Sequence, residues 1–327
     1  MEFAKLGGTG LEVSRLCLGS MTYGSPDWRP WVLDEQASRP MIRRALEAGI
    51  NFFDTADIYS RGESERILGR ALDAYAKRDE VVIATKLYFP MRDSGSNRMG
   101  LSRKRIFDCI DASLERLGTD YVDLYQIHRF DSGTPIDETL EALTDVVRSG
   151  RARYIGASSM YAWQFARALY RADLRGFSRF VSMQNHYNLV FRDEEREMLP
   201  LCRAENVGVI PYSPLSRGFL AGSRARESWE TTLRARTDTL ARREQYRDCD
   251  FAVLDRLASL AKRRRVTMAQ VAVAWLLSKP AVTAPVIGVS GLPQLEEAIA
   301  SVGIQLEDAE VSQLERDYQP RGERGFL

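Results

Sequence analysis

Four residues of this chain could together move a proton: Asp54, Tyr59, Lys86 and His128. Three of them close short apolar runs. Asp54 ends Ile50–Phe53, Lys86 ends Val81–Thr85 and His128 ends Tyr121–Ile127, while Tyr59 lies in the loop after Asp54. Free tyrosine, with a pKa of ~10, is a poor acid near neutrality. A neighbouring ammonium lowers that value by stabilising the phenolate. Lys86 is suited to this, with Asp54 as the counter-ion that keeps it charged. His128 can hydrogen-bond a substrate oxygen or relay the proton. Tyr59 then becomes a general acid for a developing alkoxide. A proton donor with neither nucleophile nor metal calls for a cofactor that brings the other half of the chemistry, and hydride transfer fits.

The elements that must position these groups recur along the chain. Leu16–Gly19, Ala152–Ala157, Phe180–Met183, Val207–Tyr212 and Ala284–Val289 are further short apolar runs, which makes eight. Continuous apolar strands suit a parallel sheet covered on both faces. The segments between them have helical spacing. Met41, Ala45, Leu46 and Gly49 share a face, as do Ile106, Ile110, Leu114 and Leu117, and Ile136, Leu140, Leu143 and Val147. Pro40 and Pro135 are expected near helix starts, Gly118, Gly150 and Gly303 where helices stop, and Thr267 with Gln270 as a capping box.

Eight strand–helix alternations predict an α/β chain forming one (β/α)8 TIM barrel domain over residues 1–327. A doubly wound open sheet stays possible, because closure is not visible in sequence. Alternation in residues 2–17 around Gly7, Gly8 and Gly10 predicts an N-terminal β-hairpin. Gly8-x-Gly10 is not a dinucleotide fingerprint, since Val13 stands where the third glycine belongs and no helix follows. A long loop, from Pro214 to about Asp248, should follow the seventh barrel strand.

In such a barrel the chemistry sits where strands end. Successive ends carry Asp54, Lys86, His128, Ser158 and Ser159, Gln184 and Asn185, Tyr212 and Ser213, and Gly288 and Ser290. One polar strand end means little, but an unbroken series on one face describes a catalytic rim. Tyr23, Trp28, Tyr88, Phe89 and Phe130 follow strands and are either walls of an aromatic pocket or ordinary packing residues. Trp163, Phe165 and Trp275 are assigned to helix cores. His186 is expected to be structural or rim-facing, and Asp57 and Arg129 adjoin the site without a derivable role.

Composition narrows the function classes. A net charge of +1 gives no field directed at nucleic acid or membrane. The apolar content of 44% supports a large core. Four separated cysteines, Cys17, Cys109, Cys202 and Cys249, and two histidines offer neither a zinc signature nor a His-rich metal site. The N-terminus lacks a signal-peptide pattern, and the expectation is a cytoplasmic protein with free thiols. The basic run Lys262–Arg265 is expected to be a solvated helix terminus.

The segment from Gly49 to Gly69, with Asp54-Thr-Ala, Tyr59 and Gly62-Glu-Ser-Glu, resembles the first signature of the aldo-keto reductase superfamily, and Lys86 and His128 stand where its other catalytic residues stand. The match extends from about Leu6 to Leu306. Tyr154–Met160, Met183–Leu189 and Glu197–Cys202 look most similar to a bacterial branch related to potassium-channel β-subunits, which includes reductases named 1-deoxyxylulose-5-phosphate synthase. The resemblance implies a (β/α)8 barrel that binds extended NADPH without a Rossmann motif and reduces a small carbonyl compound. By position, it implies that Gly19, Ser20, Met21 and Asp54 adjoin the cofactor and that Tyr212 stacks on the nicotinamide. Ser158, Ser159 and Gln184 would hold the carboxamide, and Ser213, Pro214, Leu215, Arg217 and Gly218 would meet the pyrophosphate. Gly288, Ser290, Gln294 and Glu297 would line the adenosine end. Many members have Ser-Asn at Ser158-Ser159 and Glu-Asn at Glu297-Ala298, and several have a basic residue near Gly291–Pro293. Its absence here turns the search for a 2′-phosphate partner to Arg217 or Arg236. The alternatives are a nucleotide-binding, redox-sensing regulatory subunit with slow turnover, and a barrel lyase or isomerase. Tyr212 and the Ser290–Gln294 segment speak against the last.

Overall fold

A computed structural model describes residues 1–223, 232–238 and 246–321. The N-terminal hairpin pairs β1 (Phe3–Lys5) with β2 (Glu12–Ser14) antiparallel, placing Phe3 opposite Ser14. Eight parallel strands follow: β3 (Cys17–Gly19), β4 (Phe52–Asp54), β5 (Val82–Leu87), β6 (Val122–Ile127), β7 (Ala152–Ser158), β8 (Phe180–Gln184), β9 (Gly208–Val209) and β10 (Val286–Ile287). Each lies beside its sequence neighbour, and β10 returns to β3. The Thr283 N–H donates to the Val209 carbonyl and the Val286 N–H to the Pro211 carbonyl, both at 2.8 Å, which ties the approach to β10 onto β9 and closes the ring. Strand order never reverses, so the sheet is a barrel and not doubly wound. The last two strands are shorter than their apolar runs. Pro211 and Pro285 interrupt them, and proline cannot donate to a ladder.

Helices alternate with the strands as expected, and their apolar stripes face the barrel's outer surface. The Thr267 side chain and Gln270 form the capping box of the helix Met268–Leu277. Pro40 departs from expectation. Helix Glu35–Glu47 starts after Asp34, whose side chain accepts from the Ala37 N–H at 2.9 Å, so Pro40 lies in the second turn. Proline there removes the hydrogen bond to Gln36, but both residues are exposed and water can serve the freed carbonyl. Trp163 also departs: it is 59% exposed and not part of a helix core, whereas Phe165 and Trp275 are fully buried.

The barrel interior has two levels. Phe52, Val82, Ala84 and Leu124 form an apolar floor with Leu6 and Val13 of the hairpin, which plugs the barrel at the strand starts. Gly7 lets the hairpin dock: it has a φ of +59°, and a Cβ there would lie 2.6 Å from the Asn206 carbonyl and the Gly208 nitrogen. Two residues further along the same strands, the period of the β-strand turns Asp54, Lys86 and Gln126 inward above that floor. A cavity of about 680 Å³ lined by Gly69, Leu72, Arg78, Leu114 and Tyr121 opens near the strand starts, away from these polar ends.

Gly156 on β7 makes the polar level fit. A Cβ there would sit 2.4 Å from Ser182 Oγ and 3.0 Å from the Gln126 side chain. Gly156→Ala is expected to destabilise the fold by about 1–3 kcal/mol, seen as a lower urea midpoint with unchanged slope. An unmoved midpoint would show that this level is not tightly packed.

Candidate active site

The centre of the site is the Lys86 ammonium. It donates to Asp54 Oδ1 at 2.5 Å, to the Thr55 carbonyl at 2.7 Å and to the Tyr59 hydroxyl at 3.4 Å. The other Asp54 oxygen accepts from Gln126 Nε2 at 3.0 Å and Gln184 Nε2 at 2.9 Å. Lys86 has no exposed surface and Asp54 has 1%. Tyr59 opens a tight turn, Tyr59–Gly62, in which Ser60 and Arg61 are left-handed, with φ of 48° and 52°. Strained backbone of this kind persists only where surrounding contacts enforce it. Here Ser60 Oγ accepts from the Ser25 N–H at 3.2 Å, tying the turn to the loop after β3. The His128 ring stands edge-on to Tyr59, 5.9 Å between centroids.

Burial and charge set the protonation states. Desolvation pulls the Lys86 pKa down, but Asp54 and Tyr59 outweigh it and the net shift is upward, so Lys86 is an ammonium. His128 is pushed well below its ordinary value by burial, then by Lys86 and Arg129, and is neutral. Tyr59 corrects the sequence expectation. Burial raises its pKa more than Lys86 lowers it, so the hydroxyl keeps its proton.

The four residues that the sequence singled out are therefore brought together. Gln126 was missed. Its signal was available, because it lies near the end of β6, two residues before His128, and so shares its inward face. Of the aromatic candidates, Trp28 lies 6.5 Å from the Tyr59 ring and Phe89 lies 4.9 Å from His128. Tyr88 packs on Phe89 and Phe130 on Trp163. Tyr23 is fully buried core and no pocket wall.

A family model described as "Aldo/keto reductase family" matches residues 15–318. The chain belongs to the aldo-keto reductases. It is 46% identical to the versiconal hemiacetal acetate reductase of Aspergillus parasiticus, with 98% of each chain covered. It is 42% identical to the aldo-keto reductase dtxS3 of Metarhizium robertsii, over 99% of this chain and 93% of that one. It is 41% identical to a putative aryl-alcohol dehydrogenase of Schizosaccharomyces pombe, over 96% and 95%. These relatives are fungal, and the match to the family is plain. Family and relatives make the chain an oxidoreductase acting on CH–OH or carbonyl groups.

Aldo-keto reductases use nicotinamide cofactors, and the rim fits one. Tyr212 is half-buried, one face covered by the parallel His186 ring at 5.2 Å, which itself stacks on Phe191. His186 is thus the backing of Tyr212. Ser159 has a φ of 48° and its hydroxyl reaches Ser158 Oγ at 3.2 Å and the Tyr212 hydroxyl at 3.4 Å. Gln184 Nε2 is engaged by Asp54, and no hydrogen bond to its Oε1 is formed among the described residues. The Asn185 side chain is fully buried beside them. Beyond Tyr212 the backbone is left-handed at Ser213, Ser216, Arg217 and Gly218, the kind of turn that presents N–H groups to anions. Pro214 is buried there and Leu215 partly so. The Arg217 guanidinium is paired with buried Asp238 at 2.7 Å, and Arg236 is exposed on the short helix Leu233–Thr237. Residues 224–231 and 239–245 of the expected long loop lie outside the described residues.

The remaining positions divide. Gly288 and Ser290 are exposed, and Gln294 Oε1 accepts from the Ser290 N–H at 2.8 Å, so Gln294 braces this end. Glu297 is partly exposed. Ser20 is buried, with its hydroxyl on Ser64 at 2.8 Å. Gly19 is packed on Val286, which a Cβ would strike at 2.7 Å, and Met21 is partly exposed.

Asp57, two residues before Tyr59, is fully buried, and Arg105 is 3.9 Å away. Burial, then Glu65, push its pKa up to about 7 against the pull of Arg105 and Arg116. A carboxyl raised in the folded state contributes stability that is complete below the unfolded pKa of ~4 and lost as pH rises through about 7. Asp57→Asn should therefore be more stable than the parent at pH 8, by at most about 4 kcal/mol, with the gap closing near pH 4 in urea titrations. A gap independent of pH would show that Asp57 does not titrate in this range.

Proposed function

We propose that the chain is an NADPH-dependent aldo-keto reductase that converts an aldehyde or ketone to an alcohol, with Tyr59 as general acid. The observation that carries this reading is the Lys86 ammonium shared between Asp54 and the Tyr59 hydroxyl, beside a neutral His128. A nicotinamide, when bound, supplies the hydride that goes to the carbonyl carbon. Reduction leaves negative charge on the carbonyl oxygen, and Tyr59 gives that oxygen its proton. Lys86 offsets the charge of the phenolate left behind, and Asp54 keeps Lys86 charged while Gln126 and Gln184 hold Asp54 in place. The neutral His128 ring carries one N–H available to the same oxygen.

In this reading Tyr212 backs the nicotinamide and Ser158, Ser159 and Gln184 hold its carboxamide. The left-handed turn from Ser213 to Gly218 faces the pyrophosphate, and Arg217 or Arg236 meets the 2′-phosphate. Residues 1–327 act as one domain, in the cytoplasm, on small carbonyl compounds. The affinity to the branch of potassium-channel β-subunits is part of the same proposal and rests on Tyr154–Met160, Met183–Leu189 and Glu197–Cys202.

NADPH oxidation with a panel of aldehydes, ketones and sugar phosphates, beside a fluorescence titration of NADPH, tests the reading. Turnover of a carbonyl supports it; tight binding without turnover favours a regulatory subunit. Tyr59→Phe should lower kcat by roughly 10²–10⁴-fold while NADPH affinity is kept, and retained turnover would remove Tyr59 as the acid. Arg236→Ala should lower the preference for NADPH over NADH by about tenfold, the effect of ~1.4 kcal/mol; an unchanged preference would pass the role to Arg217.

A further inference from the structure

Arg129 follows His128 directly at the end of β6 and is only partly exposed. Its guanidinium carbon lies 5.5 Å from the centre of the Phe89 ring, and Phe89 in turn packs on His128 at 4.9 Å. One of its N–H groups, Nη1, donates to the His128 carbonyl at 2.8 Å. Nε is buried and has no hydrogen-bond partner among the described residues. Among the described residues Arg129 forms no ion pair, whereas Arg78, Arg105, Arg116 and Arg217 around the same barrel each face a carboxylate. The acid nearest in sequence, Asp131, is spent on the Leu101 and Gly133 N–H groups and the Thr134 hydroxyl.

A partly desolvated guanidinium without a counter-ion is costly, and cation–π contact with Phe89 offsets only part of that. Guanidinium matches oxyanions through paired N–H donors, and a carboxylate is the planar one of these. Its place on the Phe89–His128–Tyr59 cluster puts it on the substrate side of the acid. Its charge is felt there, since Arg129 lowers the pKa of both His128 and Tyr59, though burial is the larger influence on each.

We infer that Arg129 is a specificity-determining residue that binds the carboxylate of an anionic carbonyl substrate whose apolar body lies against Phe89 and Trp28. This rests on the reductase reading above. The substrate class is a carboxylate-bearing aldehyde or ketone, most simply an aromatic one.

Para-carboxybenzaldehyde and its methyl ester, with NADPH, compare an anionic and a neutral substrate of similar size. The intact enzyme should favour the acid in kcat/KM by roughly 10- to 100-fold, as expected for hydrogen bonds to a charged group. Arg129→Met should bring the acid-to-ester ratio close to one, and Arg129→Lys should keep part of it. A ratio that Arg129→Met leaves unchanged, or an equal loss on both substrates, overturns the inference. A second arm needs neither turnover nor the variant. Benzoate and benzamide are titrated against the tryptophan fluorescence of the intact protein holding NADPH. Tighter binding of benzoate supports the anion site, and equal binding overturns it. Absence of turnover with preferential benzoate binding would remove the reductase reading and leave the anion site standing.

Discussion

Holding an ammonium inside a barrel costs several kcal/mol, and the burial of Lys86 is the condition that the rest of this structure meets. The cost is offset only when geometry is close and every remaining hydrogen-bonding position is filled. Lys86 lies 2.5 Å from Asp54 and 2.7 Å from the Thr55 carbonyl, and the second Asp54 oxygen is filled by two glutamine amides. Four strands, β4, β5, β6 and β8, must therefore end in fixed register for one charge pair to exist. Loss of any one leaves a buried charge or amide without its partner, so the barrel geometry and the site are a single requirement.

The apolar floor makes the arrangement effective. Phe52, Val82, Ala84 and Leu124, plugged by Leu6 and Val13, bury the ion pair from below. Electrostatic interactions strengthen where water is removed. The Gly7 docking of the hairpin, far from any reacting atom, is thus part of what sets the charge state of Lys86.

Much of this was legible in the sequence for reasons of periodicity. Eight apolar runs gave the strands, and their polar ends gave Asp54, Lys86, His128, Gln184 and Tyr212 as one rim, because a parallel barrel aligns all strand ends at one face. What was not legible depended on amounts and not on patterns. Gln126 needed the inward face of β6 to be followed one step back. Trp163 was placed wrongly, and Tyr23 was left open between pocket wall and core, because aromatic residues occupy cores and surfaces alike, and only packing decides. Pro40 sits mid-helix because its unpaired neighbour is solvated. The direction of the Tyr59 shift was missed since Lys86 and burial oppose each other, and residue types alone do not say which is larger.

That opposition explains the division of labour around the site. With Lys86 charged, Asp54 as its counter-ion, His128 neutral and Tyr59 protonated, the buried set carries a compensated charge and a proton held in place. A compensated set does little to draw in a charged substrate. In the inferred reading, the charge that selects a substrate sits outside it. Two arginines that form no ion pair among the described residues lie against the aromatic rings around Tyr59. Arg129 lies over Phe89 at 5.5 Å, and Arg29 lies over the Trp28 ring at 4.3 Å. Arg29 is held below its ordinary pKa by burial against the pull of Asp238 and forms no ion pair among the described residues, while Arg217 next to it is already matched to Asp238. Chemistry is thus assigned to the inward strand positions, where the barrel fixes geometry. Selection is assigned to the loops beyond them, where a side chain can change without disturbing the Lys86–Asp54 pair.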